Sequence, residues 1–448
     1  MLPLKLREEQ MASFRMKFGE KKVFAQCLMP VRGTVGFRKL DYEYPKDKLN
    51  PTEVINKIAD CGFNCFALVV KDTDGACLSK TKVGWNPVGR DLVQEFQDEC
   101  KRHNLKFFLS FTDMNDAYQG WLHPERVSVH FKDGKNHKAG DPATHREGEM
   151  RVDLPDGVSL EEMKKKIPFL TDEYDGKVGQ SRSERGSGYV PVTSFMCPRS
   201  EHTDYLIELI SELVKNYEID GILADYIRYH HGYTDLCTCP RCRAAFAEQY
   251  PKKVNKIMKC REWWDFREDN VVAFGKRFND AVKAIDDQCV TGWFNLPGPS
   301  IYSRRLVAQN YQKLSNTMDS VIPMTYPYLT GTKDDGWKWG MLGNLMHWYS
   351  KGNMKRRFDE YSAIKKDVAI LCVTNTVECN SEEMLKSMTA YDYGLGIALF
   401  KYFGTKEAQW ETCKQYSKLL MSQKIGDVTG EIKTLKDLDK ILKEKGLE

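Results

Sequence analysis

Between Ile219 and Cys242 the chain gathers the residue types that do chemistry. Asp225 and Arg228 follow the apolar run Ile222-Leu223-Ala224, and Cys237, Cys239 and Cys242 come soon after. A carboxylate beside a guanidinium is favoured in its ionised form and can act as a nucleophile or a base. The same two residues can also serve only to cap a turn and pair with each other. The three thiols lie in a polar loop, where packing does not account for them. A tetrahedral zinc site needs four ligands. Cys197, just before the helix that leads into this stretch, is the fourth candidate, with Cys260 and His231 as alternatives. Four thiolates would leave no coordination position for water, so the zinc would be structural. Free cysteines or a redox pair are the competing reading.

The elements that position these residues follow a regular alternation. Apolar strands are expected at Lys22–Pro30, Phe63–Val70, Leu105–Phe111, around Ile219–Asp225, Cys289–Asn295, Ser320–Tyr328, Val368–Thr374 and Leu395–Phe403. Helices are expected from Pro51 to Cys61, Asp91 to His103, Glu201 to Tyr217, Trp263 to Ile285, Leu306 to Leu314, about Leu345 to Ile364, Ser381 to Ala390, and onward from Lys406. Asn50-Pro51 is a helix start, an N-cap followed by proline at the first helical position. Eight buried strands alternating with helices give a (β/α)8 TIM barrel. A doubly wound open sheet is the competitor, but the segment after Pro30 (Val31-Arg32-Gly33-Thr34-Val35-Gly36) is a poor match to a glycine-rich phosphate loop. Residues 1–434 are assigned to the barrel, with an insertion at about 114–196 after strand three and a Cys-rich loop at 230–260. The insertion is polar, with one helical candidate at Leu160–Lys166. Residues 435–448 form a small helical cap.

The 448 residues carry 67 basic and 63 acidic side chains, a net charge of +4. That balance argues against a nucleic-acid partner, which calls for a concentrated basic excess. No run approaches the roughly 18 apolar residues that span a bilayer, and Met1–Lys22 has no signal-peptide core. The expectation is a cytoplasmic protein with no membrane partner. Self-association is left open. Most of the 14 cysteines are then reduced residues rather than a disulfide framework.

A TIM barrel carries its site at the C-terminal ends of its strands. Those ends offer Lys71, Asp72 and Asp74; Asp113 and Asp116; Asp225, Arg228 and Tyr229; Trp293 and Asn295; Tyr326 and Tyr328; Asn375 and Glu378; Lys401 and Tyr402. Carboxylates, amides and aromatics suit a sugar, whose hydroxyls need hydrogen bonds and whose apolar face stacks on rings. Hydrolysis of a glycosidic bond uses two carboxyl groups. Asp225 is the candidate nucleophile and Glu378 the acid and base, with Asp113 or the insertion as alternative sources of the acid. Lys71, Asp72, Asp74, Asp113, Arg228, Trp293, Asn295 and Tyr326 are the candidate sugar contacts. His230 and His231, in the loop after strand four, read as ligand contacts or, more simply, as exposed loop residues. Several of the rim residues can equally close salt bridges among themselves. No histidine cluster or nucleophilic triad is present, and no organic cofactor is expected. A catalytically silent carbohydrate-binding barrel is the alternative.

Two stretches carry a family resemblance. Lys71-Asp72-Thr73-Asp74-Gly75, Gly89-Arg90-Asp91-Leu92-Val93 and Arg102-His103-Asn104-Leu105-Lys106 resemble, in order and spacing, a segment of retaining α-L-fucosidases. That segment has Lys-His-His-Asp-Gly after strand two, then Arg-Asp-Leu/Ile-Val, then Lys-His-Gly-Leu-Lys. The paired histidines of the family are Asp72 and Thr73 here. The second stretch, Asp220-Gly221-Ile222 through Asp225-Tyr226-Ile227-Arg228-Tyr229 and on to Cys237, Cys239, Cys242 and Phe246, resembles glycoside-hydrolase-like barrels related to β-galactosidases and α-amylases. The resemblance implies a barrel acting on a glycosidic bond, with Asp225 in the nucleophile position of the retaining fucosidases. The Asn-Glu pair that β-galactosidases place on strand four is absent.

Overall fold

A computed structural model describes residues 11–29, 49–132, 135–138, 149–153, 159–166, 187–191, 195–230, 236–257, 259–296, 300–325, 368–376 and 379–448. Its centre is one parallel sheet. The strands are Val23–Leu28, Cys65–Lys71, Lys106–Thr112, Gly221–Asp225, Val290–Asn295, Ser320–Pro323, then Ala369–Ile370 with Cys372–Asn375, and Gly396–Phe400. We refer to them as strands one to eight. The nine hydrogen-bonded segments form a single order whose two ends are the pieces of strand seven, separated only by Leu371. One piece pairs with strand six and the other with strand eight, so the sheet closes on itself. Strands one, two and five are buried along their whole length, as expected of a parallel sheet covered by helices.

The helices begin where their caps dictate. The side chain of Asn50 accepts the amides of Thr52 and Glu53 before Pro51–Asp60, and Asp91 accepts the amide of Gln94 before Leu92–Arg102. His202–Asn216 and Arg261–Lys283 follow in their expected places. The helix expected over Leu306–Leu314 is instead two, Ser300–Val307 and Tyr311–Ser315. Ala308 takes a left-handed conformation at φ 60° between them, and Asn310 caps the second. The helix expected at about Leu345–Ile364 lies outside the described residues. So does the end of strand six beyond Thr325.

Two features were not legible in the pattern. A helix at Ala12–Phe18 sits at the N-terminal ends of the strands. Its Phe14 and Phe18 stack on Phe108 at 6.1 and 6.3 Å, and Lys17 lies 3.7 Å from Asp220. The region after strand three contains two antiparallel pairs, Val129–Lys132 with Lys135–Lys138 and Glu149–Asp153 with Ser187–Pro191, besides the helix Leu160–Lys166. The helix Leu435–Lys445 packs through buried Leu438 and Leu442. Among the described residues, no helix is long and apolar enough to cross a membrane.

Candidate active site and cysteine centre

Strand register places two acidic residues at adjoining strand ends. Thr112, the last residue of strand three, is level with Asp225, the last of strand four. The amide of Asp113 donates to the carbonyl of Asp225 at 2.8 Å. Residues of alternate parity in strand four face the barrel axis. Gly221 meets Phe108, which stacks on the helix closing the other end, so Leu223 and Asp225 also face inward. Tyr226 then reverses the chain at φ 53°. Its amide donates to the Asp225 carboxylate at 2.7 Å, and Arg228 Nη1 lies 3.6 Å from the same carboxylate, its guanidinium 4.2 Å over the Tyr226 ring. Burial raises the Asp225 carboxyl, Arg228 and the Tyr226 amide oppose the rise, and nearby Asp72 adds to it. About a fifth of the Asp225 side chain is exposed, at 21%.

Asp113 is wholly buried, and among the described residues neither carboxylate oxygen has a hydrogen-bond partner. Burial pushes its carboxyl well above the usual range. Asp225 reinforces the shift and Lys71 works against it. His202 donates from Nε2 to the Asp113 carbonyl at 3.0 Å. Burial lowers its pKa to about 4, so the ring is neutral at neutral pH. No sequence signal marks this histidine, since its role follows from the docking of its helix against strand three.

The residues after strand two form a polar lining behind this pair. Lys71 is fully buried, 2.9 Å from Asp116 Oδ2, and donates to the Thr112 carbonyl at 2.8 Å. Asp72 is raised chiefly by burial, against the amide of Thr73 and the charges of Lys71 and Lys401. Asp74 accepts the amide of Ala76 at 2.9 Å, and burial, reinforced by Asp116, raises it to about 7. Gly75, at φ 90°, is required here, because a Cβ would fall 2.4 Å from Asp116 Oδ1. Lys71, Asp74 and Asp116 thus tie the loops after strands two and three together, while Asp72, Asp113, Asp225 and Arg228 converge at the strand ends.

The other candidates fall elsewhere. Trp293 is fully buried and stacks on Tyr311 of the helix Tyr311–Ser315 at 5.8 Å, on the helix side of strand five. Asn295 is buried at the end of the same strand. Tyr326 and Glu378 lie outside the described residues, as does His231. His230 is not an exposed loop residue. It is 1% exposed, with its ring edge-on to Phe195 at 4.5 Å.

The four cysteines converge. The Sγ atoms of Cys197, Cys237, Cys239 and Cys242 all lie within 4.8 Å of one another, and all four residues are buried. Cys197 is 3.8 Å from Cys239 and 3.4 Å from Cys242. A tetrahedron with metal–sulfur bonds of about 2.3 Å has sulfur–sulfur edges of about 3.8 Å, so the donor set and its spacing fit a metal ion. Backbone amides already point at the sulfurs, Val129 to Cys237 at 3.2 Å and Cys242 to Cys239 at 3.5 Å. Cys239 caps the helix Pro240–Gln249 and is held well below the ordinary thiol range by hydrogen bonds from its three neighbours. Cys260 caps the next helix and is not a member of the cluster. None of the cysteines is in a disulfide. The cluster joins the segments after strands three and four, since the Thr238 amide donates to the Val129 carbonyl at 2.6 Å.

Comparison with known proteins places the fold. No family model matches the chain. The glycoside hydrolase domain of PgaB (BpsB) from Bordetella bronchiseptica superposes with a TM-score of 0.55 at 11% identity, covering 92% of this chain and 99% of that domain. α-L-Fucosidase isoenzyme 2 from Paenibacillus thiaminolyticus gives 0.53 at 13% identity over 89% of this chain and 49% of that one. The cold-adapted β-galactosidase from Rahnella sp. R3 gives 0.55 at 9% over 96% and 58%. A segment of 126 residues is 25% identical to an S-layer-related protein of Niallia circulans, spanning 24% of this chain and 8% of that protein. The chain therefore has the (β/α)8 barrel fold that these glycoside hydrolases share, and it spans about half the length of the fucosidase.

Proposed function

We propose that this protein is a retaining glycoside hydrolase with Asp225 as its nucleophile. The observation that carries the reading is the setting of Asp225. It is an inward-facing, partly exposed carboxylate at the C-terminal end of strand four, fixed by the Tyr226 amide and charge-paired with Arg228. Asp225 attacks the anomeric carbon as the leaving oxygen takes a proton from a second carboxyl, giving a glycosyl ester. That second group, now ionised, then deprotonates the water that cleaves the ester. Glu378, just past strand seven, is the first candidate for it. Asp113 is the alternative, and its raised pKa suits a proton donor. The glycone is an α-L-fucoside or a related exo-cleaved sugar, on the strength of the sequence resemblance around Lys71 and Asp91. The cysteine centre holds a structural zinc ion bound by Cys197, Cys237, Cys239 and Cys242. Zinc suits four thiolates with no open position.

One observation favours a catalytically silent carbohydrate-binding barrel. Asp72, Asp74, Asp113 and Asp116 are all buried, so none of these four is as accessible as Asp225. An aryl-glycoside panel (α-L-fucoside, α- and β-galactoside, α- and β-glucoside) run with Asp225→Asn separates the two. Turnover that vanishes in the variant and returns as a glycosyl azide when azide is added supports the hydrolase. Glycan binding without turnover in the wild type would overturn it.

A further inference from the structure

The loops behind the acids carry aromatic rings to the surface. Trp85, on the segment after strand two, stacks on Tyr118 at 4.7 Å and 21°, and Tyr118 on Trp121 at 6.1 Å and 26°. Tyr118 and Trp121 belong to the short helix Ala117–Leu122, which is tied to the strand mouth. Asp116, paired with Lys71, caps it, and the amides of Ala117 and Tyr118 donate to the carbonyls of Thr73 and Asp74 at 2.9 and 3.1 Å. The series ends at Trp121, 47% exposed, beside Leu122 at 41%. Large rings are usually withdrawn from water, and an exposed apolar patch beside a polar cleft marks a contact surface.

We infer that Trp85, Tyr118 and Trp121 form a platform for a second sugar unit, so that the protein takes an extended glycan rather than a lone monosaccharide. This rests on the reading of the mouth as a carbohydrate site. The rings stack in series, and the last of them, Trp121, is the exposed one. A pyranose offers a matching apolar face of C–H groups, and the ring hydroxyls remain free for water. The platform is joined to the strand mouth through Asp116, which pairs with Lys71 at the end of strand two and caps the helix that carries Tyr118 and Trp121. A protein partner would call for a broader apolar surface than one ring and one leucine.

The test is calorimetric titration of the Asp225→Asn protein with gluco-, galacto-, N-acetylglucosamine- and fucose-terminated tetrasaccharides, against the matching methyl monoglycosides. Trp121→Ala, at an exposed position, is expected to weaken tetrasaccharide binding roughly tenfold, the scale of one lost aromatic contact. Trp121→Phe restores most of it, and methyl glycoside binding serves as the internal reference. Tetrasaccharide affinity unchanged by Trp121→Ala would overturn the platform and leave the site reading standing. Binding of neither class to the parent protein would overturn both.

Discussion

The amide of Asp113 donates to the carbonyl of Asp225 at 2.8 Å, so the two acids share one backbone link at adjoining strand ends. They are in different electrostatic states. Asp225 has a guanidinium and an amide on its carboxylate, whereas Asp113 has no hydrogen bond to either oxygen among the described residues. Burial raises both carboxyls, Asp113 well above the usual range, while Arg228 and the Tyr226 amide oppose the rise at Asp225 alone.

The first prediction concerns Arg228. Its charge lowers the Asp225 carboxyl against the effect of burial. Arg228→Met removes that effect, so the Asp225 pKa rises. The acid limb of the pH profile of kcat/KM is expected to move to higher pH, with the basic limb in place. An acid limb that stays put would show that Asp225 is not the group titrating there.

Asp74 gives a stability prediction. Burial raises its carboxyl to about 7, above the value of about 3.9 in an unfolded chain. Between those values the folded protein holds the proton more tightly, so stability falls as pH rises through the window. Asp74→Asn keeps an oxygen for the Ala76 amide and has no charge to bury. The Tm of the variant relative to wild type should therefore increase from pH 4 to pH 7 and then level off. A constant difference across that range would contradict it.

The cysteine centre is tested by metal analysis and melting. The purified protein is expected to hold one zinc ion per chain. Cys197→Ser or Cys242→Ser should lose it and lower the Tm by many degrees, because metal binding to such a site is folding free energy. Cys260→Ser should retain the metal. Zinc-free protein with an unchanged Tm after chelation would remove the metal reading.

Gly221 is a packing prediction. A Cβ there would lie 2.3 Å from Phe108 Cε1 and 2.8 Å from the Val290 carbonyl. Gly221→Ala is expected to cost about 1–3 kcal/mol, the usual scale of overpacking. Denaturant unfolding of Gly221→Ala with Phe108→Leu should show non-additivity, because the smaller side chain vacates part of the clash. Strict additivity would mean that the backbone carbonyl alone sets the cost.

The sequence by itself determined the barrel and the cysteine set. Buried parallel strands have to be apolar along their length, and helices between them show caps and apolar faces, so Val23–Leu28 or Leu92–Arg102 can be located by local chemistry alone. Three cysteines in one polar loop call for a fourth donor if they are to hold a metal, and Cys197 lay where the chain leads into the same strand. The tertiary structure decided which strand-end residues face one another. Register put Thr112 level with Asp225 and aimed Trp293 at Tyr311, because side-chain direction alternates with each residue and a one-residue choice exchanges the axis for the helix layer. It also decided that Lys71 is paired with Asp116, that His202 and His230 are buried, and that Phe14 and Phe18 close the far end of the barrel. These contacts join residues distant in sequence, and only the closed sheet brings them within bonding distance.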